Sequence, residues 1–299
     1  MMHPKARKTA PPPTWLGLYR IEAERWGESA DQYDAFEKKW RFYGTVADAL
    51  LSRLPLKDDS KVLELACGTG VCTLKAASSV PRGNVVALDF SAAMLAAARK
   101  NAAEAEVTNV TFVQGDAGQI SKLLKGRTFD FAVCNSAFWH FPEPERVLAG
   151  MRELLTSSGE FAVSIPSWVD PDDAGREEIR TKIRDILQKH GVRSDEIETR
   201  RRGERRREGL LPVFARCGFE VNETSFEFAV TPESRQEWRR ISAFSGNRWW
   251  AWTDNLDAEV RKEIREAADE WRKKNVADGP LLSRWRLLVA HPLPGWSPK

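Results

Sequence analysis

The run Val62-Leu63-Glu64-Leu65-Ala66-Cys67-Gly68-Thr69-Gly70 constrains this chain more than any other stretch. Apolar residues broken by a single acid lead into two glycines around a small residue, and a helix-compatible segment, Val71 to Ser79, comes next. That order reads as a strand, a tight turn and a helix N-terminus. Glycine at 68 and 70 allows backbone conformations that a side chain forbids, and lets a ligand approach the main chain while helix amides point at it. A small polar ligand is expected there.

The residues downstream of the glycines narrow the choice of ligand. A dinucleotide fingerprint asks for a third Gly or Ala three positions beyond the second glycine, and for an acid about twenty residues on that binds a ribose. Position 73 is Thr, but Val85-Val86-Ala87-Leu88-Asp89 reads as a second buried strand ending in a carboxylate. Ribose binding is therefore expected and pyrophosphate binding is not. Val110 to Asp116 reads as a third strand ending in an acid, and Phe129 to Asn135 as a fourth ending in a polar residue. In an open α/β sheet such strand ends meet at one crevice.

Together these segments resemble the class I S-adenosylmethionine-dependent methyltransferases over roughly residues 60 to 167, most closely the small-molecule group that includes quinone and natural-product enzymes. Glu64 to Gly70, with Ala66 between them, is similar to the family's first motif, and Asp89 to its ribose-binding acid. Asp116 is similar to the acid beside the adenine amine, and Asn135 to the residue closing strand four. Leu154 to Phe161 is similar to the turn into strand five, with Ser158-Gly159 in place of the commoner Gly-Gly. Tyr33-Asp34 resembles a pair found ahead of the first motif, whose aromatic lies near the methyl donor; a core tyrosine is the alternative. The resemblance implies S-adenosylmethionine as donor, S-adenosylhomocysteine as product, and no metal. Phe90 and Met94 would flank the adenine, Met94 having a core role as its alternative, and Ala117 would offer a backbone amide.

The segment after strand four, Asn135-Ser136-Ala137-Phe138-Trp139-His140-Phe141, falls where acceptor would meet donor. Purine and amide N-methyltransferases would carry Asn-Pro-Pro-Tyr or Phe here, and serine and alanine replace both prolines. His140 suits a general base, with loop orientation as its alternative. Phe138, Trp139 and Phe141 would form an apolar, cation-attracting wall, at least one of them being explained by core packing. Trp249 and Trp250, in a tryptophan-rich stretch, are expected to complete the acceptor pocket.

The chain of 299 residues is long enough for a large core, and its alternating elements imply a parallel sheet with helices on both faces. The expected fold is α/β: a doubly wound, Rossmann-like, seven-stranded and mostly parallel sheet with N-terminal helices and a helical insertion before an antiparallel last strand. We divide it into a disordered tail (1–13), a helical cap (14–54), the core (55–232), a helical lid (233–280), and the last strand with its tail (281–299). No stretch reaches the ~18 apolar residues of a membrane span, and the N-terminus lacks a signal-peptide core, so a soluble cytoplasmic protein is expected. The four cysteines lack paired metal-ligand spacing, and neither a disulfide framework nor a zinc site is expected. A net charge of +3 argues against nucleic-acid binding by the whole chain. The arginine run 200–207 is diluted by Glu196, Glu198, Glu204 and Glu208, and a solvated face is expected, with a phosphate or acidic-partner contact as alternative. The leading expectation is methyl transfer to a small apolar or aromatic acceptor; the rivals are an RNA or protein methyltransferase and a non-catalytic cofactor-fold binding protein.

Overall fold

A computed structural model of the chain describes residues 24, 26–167, 174–192, 209–241, 256–275 and 281–296. Its strands are β1 (Lys61–Leu65), β2 (Asn84–Asp89), β3 (Val110–Gln114), β4 (Phe129–Cys134), β5 (Leu155–Pro166), β6 (Phe219–Val230) and β7 (Leu281–Pro292). They form one seven-stranded sheet in the order β3-β2-β1-β4-β5-β7-β6. The first five pair in parallel, and β7 runs antiparallel to both β5 and β6. The sheet is of the Rossmann-like, mostly parallel kind. The strand order reverses between β1 and β4, and it is at such a switch point that an open α/β sheet binds its ligand.

The helices of the first half are α1 (Ala30–Trp40), α2 (Phe42–Leu51), α3 (Val71–Ser79), α4 (Ala92–Glu104), α5 (Ile120–Leu123) and α6 (Pro144–Leu154). Those beyond β5 are α7 (Ala174–Lys189), α8 (Leu211–Arg216), α9 (Pro232–Arg240) and α10 (Ala258–Asn275). The central strands are buried on both faces, as continuous apolar runs in a parallel sheet require. Alternation divides their side chains. Leu63, Leu65, Val86 and Leu88 join α5, α6 and α8 in one core, while Val62, Val85 and Val133 join α2 and α3 in the other.

The turn expected at Gly159 lies inside β5. Leu155 pairs with Phe129, and the next pair is Glu160 with Phe131, so residues 156–159 are a bulge in a strand that starts earlier than the glycine suggested. α7, through Ile179, Ile183, Ile186 and Leu187, packs on α10, through Val260, Ile264 and Ala267, giving a separate apolar cluster. Lys182–Glu270 at 2.5 Å and Lys189–Glu263 at 2.8 Å tie their outer faces. The arginine run 200–207, Trp249, Trp250 and the tail 1–13 lie outside the described residues. No helix among the described residues is long and apolar enough to cross a membrane.

Between α1 and α2 the chain breaks at Arg41, with φ 52°. The break leaves α2 with unpaired N-terminal amides, and Glu37 of the preceding helix supplies the cap. Its two carboxyl oxygens accept from Tyr43 N at 2.8 Å and Gly44 N at 2.7 Å. Burial outweighs those bonds and raises the Glu37 pKa from 4.5 to about 7. A carboxyl raised on folding holds its proton longer in the folded chain, so its contribution to stability is complete below pH 4.5 and lost as pH rises through about 7. Urea unfolding should therefore show that Glu37→Gln, which cannot titrate, retains more of its low-pH stability at about pH 8 than the parent does.

Candidate functional site

At the switch point the chain leaves β1 through Ala66, with φ 53°, Gly68, with φ 54°, and Gly70, with φ 89°. It leaves β4 through Ser136, with φ 60°. Two non-glycine residues in the left-handed region, one after each strand flanking the reversal, is the kind of strain that surrounding structure must hold in place. Around Ser136 the holding groups are Ser164 and Asn135. Ser164 Oγ accepts from Ser136 N at 2.8 Å and donates to Asn135 Oδ1 at 2.9 Å, while Asn135 Nδ2 donates to the Tyr43 carbonyl at 3.2 Å. Asn135 thus fastens β4 to the start of α2 and to β5.

The glycine loop is held by Asp89. One oxygen accepts from Gly68 N and the other from Ser91 N, both at 2.8 Å. Asp89 is 8% exposed, and burial raises its pKa although three backbone amides lower it. A carboxylate carries about four lone-pair sites, so acceptor capacity remains after these amides. Glu64 lies beneath the loop, 1% exposed, and accepts from the Thr73 hydroxyl; burial raises its pKa to about 8.

The loop has room for a ligand on its open side. Among the described residues, a Cβ built at Gly68 meets no atom within 4 Å, whereas one at Gly70 meets Ala98 Cβ at 3.2 Å. The first glycine faces open space and the second packs on α4. The Thr69 hydroxyl between them is buried with no hydrogen-bond partner among the described residues. Asp116 caps the short turn Ala117–Gln119, with Oδ1 accepting from Gly118 N at 2.8 Å. Ala117 and Met94 are buried and Phe90 is half-buried.

Aromatic rings make the other wall. Tyr33 stacks on Tyr43 with centroids 5.2 Å apart and meets the edge of Trp26 at 5.9 Å. Trp26 in turn meets His140 edge-to-face at 5.9 Å, and His140 lies 5.0 Å from Trp139. Tyr33 is the meeting point of both walls. Its hydroxyl pKa is pushed well up by burial, then by Tyr43, Glu37, Glu64 and Asp89. Trp26, Tyr43 and Trp285, which packs on Tyr43 and Trp139, join the wall without any sequence signal that marks them as site residues. Nothing in the local pattern distinguishes them from ordinary core aromatics.

Phe138 does not belong to that wall. It is fully buried, with its ring 5.6 Å from Phe141, 5.7 Å from Phe161 and 5.2 Å from Phe214. The 3-10 turn Phe138–His140 sends successive side chains in different directions, so Phe138 points into the core while Trp139 and His140 face the cap. A groove of about 670 Å³ between α2 and α3, lined by Leu51, Leu54, Leu74 and Val107 among others, shares no residue with the crevice.

A family profile described as a methyltransferase domain matches residues 56–197. Residues 56–197 are thus similar to methyltransferase domains. A trans-aconitate 2-methyltransferase of Deinococcus radiodurans is 34% identical over 137 residues, spanning 46% of this chain and 48% of that protein. A malonyl-[acyl-carrier protein] O-methyltransferase of Halalkalibacterium halodurans is 33% identical over 112 residues, spanning 36% and 40%. The chain thus spans about half the length of the curated relatives it matches. The solved YcgJ protein of Bacillus subtilis superposes with a TM-score of 0.55 at 18% identity, covering 84% of this chain and 99% of that one, and so shares the fold. The matched residues include the glycine loop, its acids and the switch-point crevice. The matched residues end before α8, β6, α9, α10 and β7.

Removing the Phe138 ring should cost stability. Phe138→Ala is expected to lower the unfolding free energy by about 3–5 kcal/mol, as for other buried phenylalanines; a change below about 1 kcal/mol in urea titration would return the residue to the crevice wall.

Proposed function

We propose that this chain transfers a methyl group from S-adenosylmethionine to a small, apolar or aromatic acceptor bound between the glycine loop and the aromatic wall. The observation that carries this reading is the cradle at Gly68. Asp89 grips the loop from behind, and a side chain at Gly68 would project into open space rather than into protein. When bound, S-adenosylmethionine supplies a methyl group activated on a sulfonium and ready for in-line displacement.

The chain's own residues then have separable tasks. Asp89 accepts the ribose hydroxyls with its remaining lone pairs, and Asp116 with the Ala117 amide faces the purine, flanked by Phe90 and Met94. Glu64 and Thr73 set the loop from beneath. Tyr33, Trp26, Trp139 and His140 exclude water and orient the acceptor. His140 takes the acceptor's proton at a ring nitrogen. The Deinococcus relative is named for trans-aconitate, a small molecule, which supports a small acceptor.

Calorimetry with S-adenosylhomocysteine tests the donor side. Binding to the parent protein should be lost in Gly68→Val, through side-chain intrusion, and weakened by roughly 1.5–3 kcal/mol in Asp89→Ala. A folded Gly68→Val variant of unchanged affinity would remove the cradle from the donor site. On the acceptor side, a panel of small acids and phenols followed by S-adenosylhomocysteine formation should identify a substrate. On it, His140→Gln should reduce kcat by about 10² to 10⁴ with donor affinity kept. Near-parental turnover in that variant would reject His140 as the base.

A further inference from the structure

The glycine loop and the aromatic wall come from distant parts of the chain, yet one side chain touches both supports. Asn101 on α4 is 8% exposed. Its Nδ2 donates to Asp34 Oδ1 on α1 at 2.6 Å and to the Thr69 carbonyl of the glycine loop at 3.0 Å. Both partners are acceptors, so the amide orientation is determined: a flipped amide would set Oδ1 against a carboxylate and a carbonyl. We propose that Asn101 is a positioning residue that couples the glycine loop to the α1 cap, so that donor occupancy of the loop sets the aromatic wall over the acceptor.

Three observations carry the proposal. Asp34 adjoins Tyr33, and Tyr33 leads through Trp26 to His140, so displacement at Asp34 is displacement of the acceptor wall. The joint is also under-satisfied. Asn101 Oδ1 and the Thr69 hydroxyl, an acceptor and a donor on the two sides of the same link, are both buried and without hydrogen-bond partners among the described residues. Buried groups left in that condition are costly, and a shift of the loop that brings the two together satisfies both. Finally, the other tie of Asp34 runs outward: Lys38, 52% exposed, reaches Asp34 at 3.0 Å and Glu104 at 3.2 Å. An exposed pair of this kind contributes little, which leaves the buried amide as the connection that transmits position.

The proposal rests on the proposed donor site, and the test separates the two. Hydrogen exchange is measured on the full chain with and without S-adenosylhomocysteine. In the parent, ligand should slow exchange in residues 30–40 by about tenfold or more. Asp34→Ala should abolish that slowing while the dissociation constant changes less than about threefold. Asp34→Asn, which still accepts from Asn101, should retain it. Lys38→Met, which removes only the exposed ion pair, should retain it too, and Asn101→Ala should lose it from the other end of the link. Full slowing in Asp34→Ala, or none in a parent that binds the ligand, overturns the coupling. A parent that binds no S-adenosylhomocysteine overturns the donor reading and the coupling with it.

Discussion

The carboxylate of Asp89 is the group on which the rest of the site depends. It closes the end of β2 onto the turn after β1 by accepting Gly68 N and onto the start of α4 by accepting Ser91 N. A buried carboxylate without such donors would be neutralised by its own desolvation, and the raised pKa shows that burial already pulls it in that direction. Charge-assisted bonds of this length are among the strongest that side chains make. They hold the glycine loop in left-handed backbone and leave its open side at Gly68 clear of the described residues. The same acid therefore shapes the cradle and keeps acceptor capacity beyond these amides.

The second constraint is how the cap is held. α1 is tied to α4 through Asp34 and Asn101, and to α9 through Trp40 and Lys39 with Glu237. Tyr43 continues the second attachment, its hydroxyl accepting from Trp238 Nε1 at 2.9 Å. The Tyr33, Tyr43, Trp26 and His140 rings then pack in stacked and edge-to-face pairs, geometries favoured by the ring quadrupole. A wall built of rigid aromatics held by two attachments suits an acceptor that must be aligned without being bound by many polar groups. The insertion beyond β6 reaches this wall through Trp238 of α9, while α10 pairs with α7 in a cluster of its own.

The sequence by itself determined the α/β class, the strand-turn-helix at 62–79 and the polar residues at the ends of β2, β3 and β4. These features are local: apolar runs of strand length, glycines at turns, and acids at strand ends impose themselves through backbone sterics and burial whatever the remote chain does. Only the tertiary structure decided what those residues touch. That Asp89 spends lone pairs on amides, that Phe138 turns into the core while its neighbours face the cap, that Trp26 meets His140, and that Asn101 joins Asp34 to Thr69 all depend on the docking of separate elements. An aromatic or an amide carries no local signal of its partner, because its hydrogen bonds and ring geometry exist only once helices and strands are docked.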